Sequence, residues 1–369
     1  MLKRIYIDNY KSLVNVELAV NEINLFLGAN GSGKSAVFEI LRAIQDFVCA
    51  GERTSSVFYA SSLTRWQESP LQTFELTLEG DQGLYEYELE LEYQESKSKV
   101  KRERLLFDGQ PLLSLEKNGE VSLYRDDHSQ GSQFPIDQTL SAVGAIPPRP
   151  DNTRLTWFRE RLGRFIIAQI MPPMMSGQSL REDSRLSPHM ENFCSWYRYL
   201  SQDQGLTFQL TSELKGIIPG FDSFKFKQVG KEHRLLQVCF ETDAKTLTSY
   251  DFDELSDGQR MLIALYTLLY AAHVDQDLML CLDEPENFLA LPEIQPWLIR
   301  LYDSCTAGQM QVLLISHHPE LIDYLLASPV GYWFERQDNN RPTRIKPITA
   351  DGQGGLPISE IIARGWLHE

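Results

Sequence analysis

The chain has 369 residues, 42% hydrophobic and 23% charged, which excludes a disordered chain and implies a substantial core. Its 51 acids against 35 bases give a net charge of −16. That balance excludes binding to nucleic acid through the overall field, so any such contact must be local, nucleotide-gated or supplied by a partner. Cys49, Cys194, Cys239, Cys281 and Cys305 lack metal-ligand or disulfide-framework spacing, as expected in a reducing compartment. The first residues run straight into a strand pattern without a signal peptide. The longest apolar run, Met261 to Ala272, falls short of the ~20 residues a bilayer helix needs. A soluble, cytoplasmic protein without membrane contact is expected.

In chain order, Leu2–Ile7, Val14–Val20 and Ile23–Leu27 predict strands, and Lys34 to Val48 carries apolar residues at helical spacing. Phe74 to Tyr93 alternates apolar and polar residues and predicts a hairpin with one buried face. Pro147–Pro150 breaks the chain, Arg159 to Ile170 leads into another strand, and 171–190 predicts a mobile loop. Glu191 to Ile218 is helical in pattern, and Phe224 to Phe240 returns to strands. From Asp253 onward the pattern is helix 257–272, strand 278–282, helix 292–304, strand 311–315 and helix 319–327. Such alternation predicts a parallel sheet covered by helices. The expected class is therefore α/β, a mixed sheet with an antiparallel β subdomain and a helical insertion. A single head spans 1–369, with an amino-terminal lobe over about 1–95, an insertion or lid over about 96–250 and a carboxy-terminal lobe over about 251–369.

Four motifs carry chemistry. Gly28-Ala-Asn30-Gly31-Ser-Gly33-Lys34-Ser35 follows a strand and opens a helix, the context a phosphate-binding loop needs. Its glycines permit φ > 0, so successive backbone N–H groups can turn inward on an anion, and the helix dipole adds positive potential. Lys34 would reach the β- and γ-phosphates of ATP, and the Ser35 hydroxyl would ligate Mg²⁺. Leu278 to Leu282 is an apolar strand that delivers Asp283 and Glu284 at its carboxyl end, where open α/β sheets bind ligands. Asp283 would hold the Mg²⁺ shell and Glu284 would act as general base on water. Leu255-Ser256-Asp257-Gly258-Gln259-Arg260 precedes an apolar helix, with Ser256 placed as its N-cap and Gly258 permitting close backbone approach. Leu313-Leu-Ile-Ser316-His317-His318 ends the next strand on a histidine.

Together with the phosphate loop and the Asp–Glu strand, the segment around Ser256 resembles the signature motif of ABC ATPases, and His317 matches that family's switch histidine, which senses the γ-phosphate. The resemblance implies an ABC-ATPase P-loop fold, ATP and Mg²⁺ as cofactors, and a homodimer or higher even oligomer. In such a dimer Ser256, Gly258 and Gln259 of one subunit cover the nucleotide held by the other. Ile7-Asp-Asn-Tyr10-Lys11-Ser12 resembles the opening of the RecF, SMC and overcoming-lysogenisation-defect (OLD) ATPases, which implies nucleotide contacts for Lys11 and Ser12; on residues alone they could equally be a solvated turn. Asp283-Glu-Pro-Glu286-Asn287 is similar to the same group, but Phe288-Leu-Ala-Leu-Pro292 departs from its usual G-L-H-P continuation. A glutamine that senses Mg²⁺ is also implied, with Gln67, Gln72 and Gln169 as candidates.

Sustained heptads are absent, and no Toprim-sized segment follows His317, so the expectation is a compact OLD-like ATPase. Such proteins act beside a separate effector, a nuclease or toxin, in DNA repair or phage defence. Two other readings are a transporter's nucleotide-binding subunit, disfavoured by the long span from residue 36 to 254, and a self-contained nuclease. For the latter, the acidic pairs Asp126–Asp127 and Glu182–Asp183 lack metal-site spacing. DNA or RNA contact would fall to local basic segments, Lys97 to Arg104 or the arginines from Arg154 to Arg164.

Overall fold

Burial alternates residue by residue along most of Leu71–Gly80 and Gly83–Gln94, and the two strands form one hairpin, paired from Leu71 opposite Glu92 to Gly80 opposite Gly83. The structure is a computed structural model that describes residues 1–80, 82–95, 97–274, 278–317 and 331–348. It divides into two compact units, residues 1–165 with 326–369, and residues 166–325.

In the first unit the hairpin sits inside an antiparallel sheet. Its order is Val16–Ala19, Leu2–Asp8, the two hairpin strands, Lys97–Phe107, Gln110–Leu115, Glu120–Tyr124 and Gln130–Pro135. One face buries Phe74, Leu76, Tyr87, Leu89 and Leu105 at 0–1% exposure, each contributing about 1.5–3 kcal/mol. The opposite face pairs charges across strands. Lys99 meets Glu92 at 3.2 Å, Lys101 meets Glu90 at 2.7 Å, Arg102 meets Glu90 at 3.3 Å and Arg104 meets Glu116 at 2.8 Å. The basic segment 97–104 thus faces carboxylates of its own sheet, so it is not the open cationic strip considered for nucleic acid.

A second sheet in this unit places Ile23–Gly28, buried throughout, parallel to Gly331–Glu335, which pairs antiparallel with Arg344–Ile348. Helix Lys34–Cys49 follows the first of these strands and buries Val37, Ile40, Leu41, Ile44, Phe47 and Val48 along one stripe. Phe26 joins them, with ring centroids 5.9 Å from Phe38 and 5.0 Å from Phe334. The buried amide of Gln45 donates to the carbonyls of Leu162 and Phe165, around the end of helix Thr153–Gly163.

In the second unit, strand Leu278–Asp283 lies parallel to Met310–Ile315, with Asp283 opposite Ile315. Both are buried on both faces, as parallel strands under helices are. Helices Asp257–Val274 and Leu291–Thr306 are locked by the buried Trp297 indole, which donates to Leu265 O at 3.0 Å. A small antiparallel sheet joins Gln178–Ser179, Phe221–Val229, His233–Glu241 and Leu247–Asp251.

Two expectations need correction here. The helical stretch 191–218 is two helices, Phe193–Leu200, which ends at the C-cap Ser201, and Gln204–Ile217, which Asp203 caps by accepting from Leu206 N at 2.9 Å. The segment 171–190 is pinned rather than loose. Gly177 N donates to Asp253 Oδ1 at 2.7 Å, and Arg260 donates to Pro172 O at 2.7 Å. The expected helix 319–327 and His318 lie outside the described residues.

Candidate nucleotide site

The phosphate loop grows out of the buried strand Ile23–Gly28. Gly28 (φ 138°), Gly31 (φ 76°) and Gly33 (φ 101°) all take backbone angles that a side chain disfavours. Space forbids a side chain at two of them as well. A Cβ on Gly28 would stand 2.1 Å from Phe334 O, and one on Gly33 would stand 2.9 Å from both Ser12 Oγ and Thr343 Oγ1. Lys34 is 6% exposed, and its ammonium donates to Gly28 O at 2.7 Å and Ala29 O at 3.0 Å. A cation folded onto the loop it follows, beside a backbone that admits no Cβ, suits a polyphosphate. Asn30, Gly31 and Ser35 are exposed along the same turn.

Ser12 is brought to this loop and is 5% exposed. Thr343 ties it there: its N–H donates to Ser12 O at 2.8 Å, and its hydroxyl lies 2.9 Å from Ser12 Oγ and 2.7 Å from Ser32 O. Lys11 has φ 52° and pairs with Glu39 on the exposed face of the helix. That exposed pair is worth little, so the ammonium is held only weakly away from other partners.

In the second unit, the parallel strands end in two turns that are joined to each other. Glu284 adopts φ 50°, a left-handed geometry that costs a non-glycine residue about 1–2 kcal/mol, and its N–H donates to Ile315 O at 2.8 Å. Its carboxylate accepts from Asn287 Nδ2 at 2.8 Å and lies 3.5 Å from His317 Nε2. Glu286, 9% exposed, accepts from Ser316 Oγ at 2.6 Å and from the His317 N–H at 3.2 Å. The expected base and the expected switch histidine are thus neighbours. Asp283 is the half-buried residue immediately before them.

Ser256 caps helix Asp257–Val274 as expected. Its hydroxyl accepts from Gln259 N at 3.2 Å, while its own N–H donates to Gln259 Oε1 at 3.1 Å. Gly258 has a packing reason too, since a Cβ there would stand 3.2 Å from Phe288 O. Phe288 itself has φ 72°. At the position where the chain departs from the family's glycine, a phenylalanine thus takes the left-handed backbone itself.

Other candidates go elsewhere. Gln72 is fully buried and committed: its amide donates to Asn9 O at 2.8 Å and Ser62 Oγ at 3.2 Å, and it accepts from Tyr93 OH at 2.6 Å. Gln67 is half-buried, and Gln169 follows strand Phe165–Ala168, the sheet neighbour of Leu278–Asp283. Asp126 caps helix Thr153–Gly163, accepting from Thr153 N at 2.8 Å and Arg154 N at 3.1 Å. Asp127 accepts from Ser129 N at 2.9 Å, and hydrogen bonding from Ser129 holds its carboxyl below the ordinary range. Asp183 accepts from Asn192 Nδ2 at 2.8 Å, and Glu182 accepts from Gln202 at 3.1 Å. Arg154 lies 4.0 Å over the Phe107 ring, and Arg159 donates to Ile146 O at 2.6 Å, which removes them from the basic face read from sequence. Among the described residues, no group of three or more His, Cys, Asp or Glu could hold a metal ion, and no helix is long and apolar enough to cross a membrane.

Sequence reasoning missed Thr343 and Glu286 as parts of these turns. Thr343 reaches the phosphate loop from far along the chain and has no local signature. Glu286 stood within a quoted motif, but only the fold shows that its carboxylate holds His317.

Two family models match the chain. The one described as an AAA ATPase domain covers residues 1–130, with the phosphate loop. The other, described as "AAA domain, putative AbiEii toxin, Type IV TA system", covers 195–323, with Ser256, Asp283, Glu284 and His317. No curated protein matches by sequence. Among solved structures, the SMC head domain from Thermotoga maritima is similar at 13% identity and a TM-score of 0.50, over 95% of this chain and 99% of that one. An SMC head bound to the C-winged helix domain of ScpA matches at 11% identity and a TM-score of 0.57, over 95% and 98%. A third, an Smc head domain with an extended coiled coil bound to the C-terminal domain of ScpA derived from Pyrococcus furiosus, matches at 10% and 0.51, over 100% and 99%. At such identity the likeness is one of fold: mixed α/β, with the antiparallel and parallel sheets of the SMC-head, ABC-type P-loop architecture. Two AAA-domain family models thus match separate parts of the chain, and its fold is similar to that of the SMC heads.

Proposed function

We propose that two copies of this chain close around two ATP molecules, and that closing and hydrolytic reopening control a separate effector, a nuclease or toxin of DNA repair or phage defence. The observation that carries the reading is the cradle at Gly28–Lys34, whose left-handed glycines and folded-back ammonium fit a polyphosphate. Lys34 exchanges its two carbonyl partners for phosphate oxygens. Ser12, fixed beside Gly33, adds a hydroxyl on the same side, and Lys11 leaves its exposed pair with Glu39. Ser35 and Asp283 are the residues that would hold Mg²⁺, which when bound neutralises phosphate charge.

Glu284 takes a proton from water, and its orientation comes from Asn287. His317, placed by Glu286, senses the terminal phosphate. Gln169 is favoured over Gln72 as the metal-sensing glutamine because Gln72 has its hydrogen bonds filled by the protein. Ser256, Gly258 and Gln259 act on the nucleotide of the opposite subunit. Two of the similar solved heads are bound to ScpA, and an ABC-type closing movement is useful only when another polypeptide reads it.

Mixing Lys34→Ala with Gly258→Glu protein tests the shared pockets. Each lesion alone abolishes turnover, but in a heterodimer both fall on one pocket and leave the other intact. At equal mixing half the dimers are mixed, so about a quarter of wild-type turnover returns. No recovery, with heterodimers shown to form, would refute pockets shared between subunits.

A further inference from the structure

A phosphate loop recognises phosphate and is indifferent to the base attached to it. Beside this loop, within the first unit, stands a pair that joins a cation to an aromatic ring. The guanidinium of Arg336 lies 5.5 Å over the ring of Trp66, and its Nη1 reaches Gly31 O of the loop at 3.5 Å. Both residues are half-buried, so each presents part of its surface.

Neither is placed by accident of a loose surface. Arg336 also bonds within its own turn, Nη2 to Asn339 O at 2.6 Å and Nε to Arg341 O at 3.1 Å. The same turn ends at Thr343, which is hydrogen-bonded to Ser12 and Ser32. Trp66 sits in the turn Thr64–Gln67, and the chain before it is tied to the amino-terminal turn. Lys11 N donates to Ser62 O at 2.6 Å, and Thr64 N donates to Asn9 Oδ1 at 3.1 Å. Two segments far apart in sequence are thereby anchored to the phosphate loop and to the Lys11–Ser12 turn, and each contributes one planar group. A planar aromatic with a guanidinium beside it offers a nucleobase a π-face from the ring and N–H donors at its edge.

We propose that Trp66 and Arg336 form the nucleobase platform of this site: the purine of the bound nucleotide stacks on the accessible part of the Trp66 ring, and the guanidinium stays beside it. The proposal rests on the reading that the Gly28–Ser35 loop binds a nucleotide, and it assigns the part of the ligand that the loop does not see. It makes these two residues determinants of base selectivity and gives them no part in hydrolysis.

The test is equilibrium binding to the full-length protein with Mg²⁺, comparing ATP with inorganic tripolyphosphate and with ribose-5-triphosphate, which lacks the base. Wild type binds ATP more tightly than either base-free probe. Trp66→Ala weakens ATP by about 5- to 100-fold, the loss expected for one base–aromatic stack, and leaves both base-free probes within about 2-fold. Trp66→Phe, which keeps a π-face and a similar volume, retains most of the ATP preference and serves where the alanine variant unfolds. Arg336→Gln, keeping length and polarity without the charge, lowers ATP affinity by a smaller factor and again spares tripolyphosphate. Equal weakening of all three probes in Trp66→Ala and Trp66→Phe, or no weakening of ATP in either, overturns the platform while leaving the phosphate loop in place. Failure of wild type to bind ATP or tripolyphosphate overturns the nucleotide reading and the platform together.

Discussion

Glu284→Gln separates chemistry from structure at the turn after Leu278–Asp283. The wild-type carboxylate accepts from Asn287 Nδ2 at 2.8 Å and faces His317 Nε2 at 3.5 Å. A glutamine of the same shape can keep its carbonyl oxygen on Asn287 and turn its NH₂ toward the histidine nitrogen, so the turn and its left-handed φ of 50° persist. The variant is therefore expected to melt within about 1 °C of wild type and to bind ATP within about 3-fold, since the phosphate contacts assigned to Lys34 are untouched. What it loses is basicity. A positioned general base contributes ~10²–10⁴-fold, about 3–5 kcal/mol of barrier, so kcat for ATP hydrolysis should fall at least 100-fold with little change in KM. Single-turnover hydrolysis of radiolabelled ATP, with binding measured in parallel, reads the two effects separately. Wild-type turnover by a folded Glu284→Gln protein would refute the assignment of this carboxylate, and a fall in binding equal to the fall in kcat would move its role from base to ligand.

Gly33→Ala should abolish nucleotide binding, because its Cβ must enter 2.9 Å from Ser12 Oγ and Thr343 Oγ1 at a φ of 101°; fluorescent-nucleotide titration showing wild-type affinity would contradict the cradle. Glu286→Ala removes the hydrogen bonds that Ser316 Oγ and His317 N donate to a buried carboxyl, a loss of about 2–4 kcal/mol. Urea denaturation should show that loss, and Glu286→Gln, which keeps one acceptor oxygen, should recover part of it; an alanine variant as stable as wild type would show that the carboxylate does not hold the histidine turn.

Much of this protein can be read locally. The alternation in Leu71–Gln94, the apolar strand before Asp283 and the stripe along Lys34–Cys49 depend on side-chain periods of two and 3.6, and the structure follows them. The cap at Ser256 and the glycines of the phosphate loop were equally legible, since their conformations are set within a few residues. Long-range pairing decided the rest. Lys99, Lys101, Arg102 and Arg104 read as a basic strip until sheet register set carboxylates beside them. Gln72 stood equal with Gln67 and Gln169 until burial filled its hydrogen bonds with Asn9, Ser62 and Tyr93. Thr343 and Arg336 reach the phosphate loop only because strand Gly331–Glu335 lies parallel to Ile23–Gly28, a pairing across some three hundred residues that no local propensity encodes. Conformation within a turn is a property of the residues in it; partnership between distant turns is a property of the packed fold.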